Sequence, residues 1–318
     1  MFARSVSVGL DIASDAVRVV WCRSRRQGWE LLGWHSIHVP AGTFQGDRLI
    51  APDALRDVLS QIHKILPRRL ARLCIALPGA AVMQKTLMVD AFLTEQERLF
   101  RVEAELPSLF PLPPHELAFD FRAEGAETAN GRLKLVVTAA RRELMNDYLA
   151  VLQGAGLQAD IVDITPLALR RALEQAQAAL PPALELEQQL LVHLSARNLL
   201  VTSVPGSPLF FRDQPLNIPQ SEGNSVPPAL LQEQWLSEVT RQLGLIRQMY
   251  HSTGRQSSGL LVSGQLRESD TRVLSTQLSV PVQGWSPFAG LSLAVSVPQQ
   301  EDAWPFTLAC GLAVWEGN

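Results

Sequence analysis

Cysteine is scarce in this chain. The 318 residues hold three, Cys22, Cys74 and Cys310, far apart and each inside an apolar run. None fits a CxxC knuckle, so a zinc site and a disulfide framework are excluded, and all three read as small core residues in a reducing compartment. Long apolar runs are missing too. The stretch Ser5–Leu10 is cut short by Asp11 and Asp15, and no run of roughly 18 apolar residues follows, which argues against a membrane span or a signal h-region. The chain therefore reads as a soluble, cytoplasmic protein. An excess of one charge is also lacking: 28 Lys and Arg stand against 31 Asp and Glu, a net of −3. That balance excludes a chain-wide basic field, and with it bulk nucleic-acid binding.

Core-forming material is plentiful. Hydrophobic residues make up 47% of the chain against 19% charged, and the length predicts two domains or one two-lobed unit. Residues 1–72 carry eleven Lys and Arg against six Asp and Glu, a local net of +5 that leaves −8 for the rest. Arg23, Arg25, Arg26, Lys64, Arg68, Arg69 and Arg72 read first as solvated turns and helix ends, and second as a surface for an anionic leaflet or an acidic partner.

Along the chain, three β-rich runs, Arg4–Leu10, Ala16–Cys22 and Trp29–Val39, predict an antiparallel meander. Asp53 is placed to cap a helix with apolar positions Leu55, Val58, Leu59 and Ile62, ended by Pro67, and the strand Arg72–Leu77 follows. A different unit then interrupts. Thr94 and Glu97 form a capping box for a helix through Leu106, which Pro107 is expected to kink or break. The strands Leu117–Ala123 and Leu133–Ala139 flank an Asn130-Gly131 turn. A helix over Arg142–Gly154, a strand over Gln158–Ile164 and a helix capped at Thr165-Pro166 lead to Pro181-Pro182, the expected lobe boundary.

Beyond those prolines the opening pattern returns. Strands are predicted over Leu190–Leu194, Asn198–Val204 and Ser207–Arg212, then a loop, Asp213–Pro227, a helix from Pro228 to His251 and a strand over Gly259–Val262. A final αβ unit and a helix opening at Asp302 end the chain. The two halves share a βββαβ order at an offset of about 186 residues, from Arg4 to Leu190.

Two such lobes in tandem resemble the actin, Hsp70 and sugar-kinase superfamily. More narrowly, the chain resembles the PilM family of type IV pilus assembly proteins, relatives of the division protein FtsA. The resemblance rests on Val8-Gly-Leu-Asp-Ile-Ala-Ser14, on Ile75-Ala-Leu-Pro-Gly-Ala80 before the Lys85–Val89 strand, and on Glu103–Pro113 leading to Phe119-Asp120-Phe121. Ala155-Gly-Leu157 with Val162-Asp163-Ile164, and Pro287-Phe288-Ala289 before Ala309–Leu312, complete it.

The resemblance implies an actin-like α/β fold of duplicated ribonuclease H-like lobes, residues 1–182 and 183–318. An FtsA-type 1C subdomain would be inserted at about 80–163, the second-lobe 2B region would be reduced, and the C-terminal helix would pack back at the seam. It also implies a degenerate ATP site at Asp11, Ser14 and Gly264, with ATP and magnesium as candidate cofactors. Ala13 stands where a glycine is expected, and His193 and Ser195 replace the second Asp-x-Gly turn. His193 itself reads as a satisfied strand-end residue rather than a general base.

The implied work is that of a cytoplasmic, non-enzymatic scaffold of a type IV pilus, or of a related secretion or DNA-uptake machine, peripheral to the inner membrane. It would bind the short cytoplasmic N-terminal tail of a PilN-like single-pass membrane protein. Leu106, Leu109, Phe110, Leu112 and Phe119 are the candidate groove. Pilus motor or platform proteins and a second copy of the chain are further candidate partners, and nucleic acid is not. Two other readings remain open: an active actin-like ATPase, and an RNase H-like nuclease, for which only Asp11 is well placed.

Overall fold

A computed structural model describes residues 6–46, 48–68, 70–125, 130–216 and 228–316. The chain opens with β1 (Val6–Ile12), β2 (Ala16–Arg25), β3 (Gly28–His38), the two-residue strands β4 (Phe44–Gln45) and β5 (Arg48–Leu49), α1 (Pro52–Ile65) and β6 (Arg72–Leu77). There follow β7 (Val82–Asp90), α2 (Glu95–Leu109), β8 (Leu117–Ala123), β9 (Arg132–Arg141), α3 (Arg142–Gly154), β10 (Ile161–Ile164) and α4 (Thr165–Ala176). The second half holds β11 (Gln189–Leu194), β12 (Asn198–Ser203), β13 (Phe211–Pro215), α5 (Pro228–Ser252), β14 (Gly259–Gly264), α6 (Glu268–Leu278), β15 (Val282–Gly284), β16 (Ser292–Leu293) and α7 (Thr307–Ala313). Among the described residues, no helix is long and apolar enough to cross a membrane.

The chain divides into two compact units, Met1–Ala80 with Ala155–Asn318, and Ala81–Gly154. The larger unit contains the duplication. One sheet runs β10-β6-β1-β2-β3-β16 and the other β13-β12-β11-β14-β15. In each, the first three strands are an antiparallel meander and the next two join parallel to the first. Central strands buried on both faces read as near-continuous apolar runs, as at Leu190–Leu194, interrupted by His193 alone, and at Gly259–Val262.

The two sheets share one core: Cys74, Leu169, Leu191, Leu261, Leu308 and Leu312 belong to a single buried cluster around α4 and α7. Close packing of α7 depends on absent side chains. A Cβ at Gly9 would lie 2.0 Å from the Ala309 carbonyl, and one at Gly311 1.8 Å from that of Ala168. Asp163 accepts from Arg171 at 2.7 Å while the same guanidinium donates to the Gly311 carbonyl at 2.8 Å, tying β10, α4 and α7 together. The three cysteine thiols are all buried and free, and burial pushes those of Cys74 and Cys310 up to about 12.

The smaller unit is a three-stranded antiparallel sheet, β7-β9-β8, covered by α2. Val102, Leu106 and Phe110 pack on Val89, Leu117, Leu135 and Val137 in a core of its own. The capping box forms: the Thr94 hydroxyl accepts from the Glu97 amide at 3.3 Å, and the Glu97 carboxylate accepts from the Thr94 amide at 2.8 Å.

Several local expectations are corrected. Ala51, not Asp53, precedes α1; Pro52 takes the first helical position, where its missing N–H costs nothing, and Asp53 sits in the first turn. Pro107 lies within α2 without ending it, because only the last turn remains and Phe110 N–H still reaches the Leu106 carbonyl at 3.0 Å. The strand predicted at Ser207–Arg212 begins at Phe211. Ser203 Oγ donates to the Pro208 carbonyl at 2.9 Å and accepts from the Phe210 amide at 3.1 Å, holding the preceding residues in a turn.

The strand expected from Gln158 starts at Ile161, since the Asp160 carboxylate is turned to the Leu73 amide at 2.7 Å. Thr165 is the first residue of α4 rather than its cap, and its hydroxyl accepts from the Gly79 amide at 3.0 Å instead. At Asp302 the chain forms a 3₁₀ run, Gln300–Phe306, before α7. Residues 4 and 5 of the first predicted strand, Arg69, and residues 217–227 of the predicted loop lie outside the described residues.

Candidate functional site

The candidate residues of the larger unit gather at the carboxyl ends of the central strands of its two sheets. Asp11 is the penultimate residue of β1, and the β1–β2 register places Arg18 directly opposite it. Ser14 lies half-buried in the tight turn between them. His193 is penultimate in β11, and Gly264 ends β14. Gly264 has φ 95°, and a Cβ there would lie 2.0 Å from the Leu194 carbonyl, so no other residue fits without moving β11.

Sequence reasoning missed the residues that join these points. Arg18 stands 4.0 Å from the Asp11 carboxylate and pairs with Asp15 at 2.5 Å. The Gln265 amide donates to the same Asp15 oxygen, a bond between residues 250 apart in the chain. One guanidinium thus serves two carboxylates of the first sheet, and one of those carboxylates holds the turn after β14. The visible signal was Arg18 itself, a lone charge in the apolar strand Ala16–Cys22. Its partners Asp11 and Asp15 belong to the same hairpin, whereas Gln265 was not readable because its contact with Asp15 spans 250 residues.

The electrostatics follow from burial. Asp11 and Arg18 are each 7% exposed. Burial, the largest cause, pushes the Asp11 carboxyl from 3.8 up to about 6; Arg18 pulls it down and Asp15 pushes it up. His193, 5% exposed, is driven from 6.5 down to about 3, first by burial and then by the Arg18 charge, with Asp15 opposing. It is neutral near pH 7. Ser263 Oγ–H donates to the Val192 carbonyl at 3.3 Å, so His193 Nδ1–H donates to Ser263 Oγ at 3.0 Å. The turn at Ser195 is closed on itself, its hydroxyl accepting from the Asn198 amide at 3.0 Å. Asp213 reaches across to the Ala80 amide at 3.3 Å.

In the smaller unit, the candidate groove residues surround the end of α2. Leu106 and Phe110 are buried core residues, while Leu109, Leu112 and Phe119 are partly buried against that core. Phe119 lies on β8, which among the described residues pairs with β9 alone and so is a sheet edge. Arg142 fixes the approach to this edge: its guanidinium donates to the His115 carbonyl at 3.0 Å and also to that of Leu117. Met88, Phe92 and Phe100 are exposed apolar residues of the same unit that sequence reasoning did not single out, and Leu99, read from the sequence with the apolar positions of α2, is exposed as well.

A duplicated βββαβ sheet pair, with a separate unit inserted after the fourth strand, defines the class: this is an actin-like α/β protein. The profile of the family described as Type IV pilus assembly protein PilM matches residues 9–220 of the 318. The chain belongs to that family. Among solved structures, 98% of it superposes on 98% of a chain from a "PilM-PilN type IV pilus biogenesis complex", with a TM-score of 0.79 and 21% identity. It is also similar, over 99% of its length and 91% of the other chain, to the ethanolamine utilization protein EutJ from Carboxydothermus hydrogenoformans, with a TM-score of 0.53 and 11% identity.

Proposed function

We propose that the chain is a non-catalytic scaffold of a type IV pilus assembly platform, gripping the short cytoplasmic tail of a PilN-like single-pass membrane protein. The observation that carries this reading is likeness over the whole length to a protein of a PilM-PilN complex. In this reading residues 1–182 and 183–318 are the two lobes, and Ala81–Gly154 is the FtsA-type 1C subdomain. The 2B region shrinks to the connection between β13 and α5. The protein works in the cytoplasm and is held at the inner membrane through its partner.

The edge of β8 supports a mode of grip. An extended tail gains backbone hydrogen bonds along an unpaired edge, and its side chains gain burial against Leu109, Leu112 and Phe119. Leu106 and Phe110 lie beneath and hold the shape.

The residues at the junction of the two sheets do not fit a magnesium nucleotide. Asp11, the carboxylate expected to order the metal, faces the Arg18 guanidinium at 4.0 Å, a fixed positive charge that opposes a cation at the same carboxylate. The second carboxylate position holds a neutral, hydrogen-bonded His193. Gln265 and Asp15 are already bonded to each other at the same junction. Phosphoryl transfer depends on positioned charge, and that charge is spent internally.

Two assays test the reading together. A PilN-type cytoplasmic peptide binds the full chain, Leu112→Asp and Phe119→Ser weaken it at least tenfold while the smaller unit stays folded by circular dichroism, and Asp11→Asn leaves it unchanged. Magnesium-dependent ATP hydrolysis above buffer, abolished by Asp11→Asn, would restore the ATPase reading.

A further inference from the structure

The basic cluster noted in the sequence is not absorbed by either site. The fold collects it at one place: the pole of the first sheet opposite Asp11. Val6, which starts β1, pairs with Arg23 near the end of β2, its carbonyl accepts from the Ala71 amide at 2.8 Å, and Ser7 pairs with Arg72. The β2–β3 turn carrying Arg26, the last turn of α1 carrying His63 and Lys64, and the loop carrying Arg68 therefore all leave the sheet at the same end.

Not all of these cations are free. Arg23 and Arg25 pair with Glu30, and Arg72 donates to the Trp315 carbonyl at 2.8 Å. Arg26, Lys64 and Arg68 are exposed and have no ion-pair partner among the described residues. Lys64 and Arg68 border a cavity of about 520 Å³, lined also by His63, Leu70, Leu157 and Asp160. The Asp160 carboxylate is engaged by the Leu73 amide at 2.7 Å. Leu70, in the cavity lining, and Ile65, next to Lys64 at the end of α1, are large apolar side chains left exposed, at 36% and 41%.

Unpaired cations, a headgroup-sized cavity and protruding aliphatic residues on one pole match an anionic bilayer surface in each component. Phosphate finds Lys64 and Arg68, the glycerol backbone finds the cavity, and Ile65 and Leu70 reach the acyl boundary. We propose that this pole docks directly on anionic phospholipid. The contact would orient the scaffold on the membrane independently of the tail it grips, so the test needs no partner protein.

The test is flotation of the full chain with phosphatidylglycerol-containing vesicles and with pure phosphatidylcholine vesicles. Binding to the first and not the second is expected, falling as salt shortens the Debye length below ~8 Å. The double variant Lys64→Ala/Arg68→Ala should lower partitioning about 25-fold, at about fivefold per cation, and Arg26→Ala about fivefold more. Leu70→Ser should lower it without changing the melting temperature. Failure of the wild type to float, or flotation unchanged in the double variant, would overturn the proposal. So would displacement by millimolar glycerol phosphate, which would make the cavity a free-phosphate site. Tighter binding to polyglutamate than to vesicles would assign the pole to an acidic protein instead.

Discussion

The two buried titratable groups around Arg18 should leave opposite and nearly cancelling marks on stability against pH. Asp11 has a folded value of about 6 against 3.8 in the open chain. Between those limits the folded protein holds a proton that the unfolded chain has released. Its contribution is therefore full below 3.8 and is lost as pH rises through 6, a total of about 3 kcal/mol at about 1.4 kcal/mol per pH unit. His193 behaves in reverse. Its folded value is about 3 against 6.5, so the unfolded chain binds the extra proton, and stability present above 6.5 drains away as pH falls. Over about pH 4 to 6 that also amounts to roughly 3 kcal/mol.

In the wild type the two slopes offset each other. Removing one group exposes the other. Urea unfolding at several pH values should show the stability of wild type minus that of Asp11→Asn falling by about 1.4 kcal/mol per pH unit over that window, and wild type minus His193→Asn rising by about as much. The difference between variants isolates each group from every other carboxylate and histidine in the chain. Curves for both variants parallel to the wild type would refute the reasoning, because they would mean that neither group changes its proton affinity on folding.

Three further outcomes are expected. Gly9→Ala should destabilise by at least ~3 kcal/mol in urea, since its Cβ would overlap the Ala309 backbone, which cannot swing aside as a side chain can. Phe110→Ala, at 4% exposure in the core of the smaller unit, should cost about 3–5 kcal/mol, and Phe110→Asp should leave that unit unfolded by circular dichroism and proteolysis. Millimolar ATP with magnesium should not move the melting temperature; a ligand at ~100 times its Kd would add about 2.7 kcal/mol, a shift of several degrees that a thermal melt detects easily.

The sheets were the most legible part of the fold, for a physical reason. Strands such as Leu73–Leu77 and Gly259–Val262 are continuous apolar runs bounded by polar residues or turns, and the repeated βββαβ order survives any error of a few residues at their ends. The third strand of the second half was misplaced because Ser203 bonds to Pro208 and Phe210, a contact seven residues long that period-two patterning does not register. Of the site, Asp11, His193 and Gly264 were legible because each stands at a strand end in a recognisable turn. The network among them was not. Arg18 and Asp15 pair within one hairpin, but Gln265 reaches Asp15 only after two sheets half a chain apart have met, and local residue types carry no record of that meeting.

Hydrogen–deuterium exchange of the full chain, with and without a PilN-type cytoplasmic peptide, tests the central claim most directly. The account predicts slowed exchange along Leu106–Ala123, on the end of α2 and the edge of β8, with the residues around Asp11, Arg18 and Gly264 unchanged. Protection concentrated at those junction residues, with none on β8, would contradict it and return the protein's work to the junction between its two sheets.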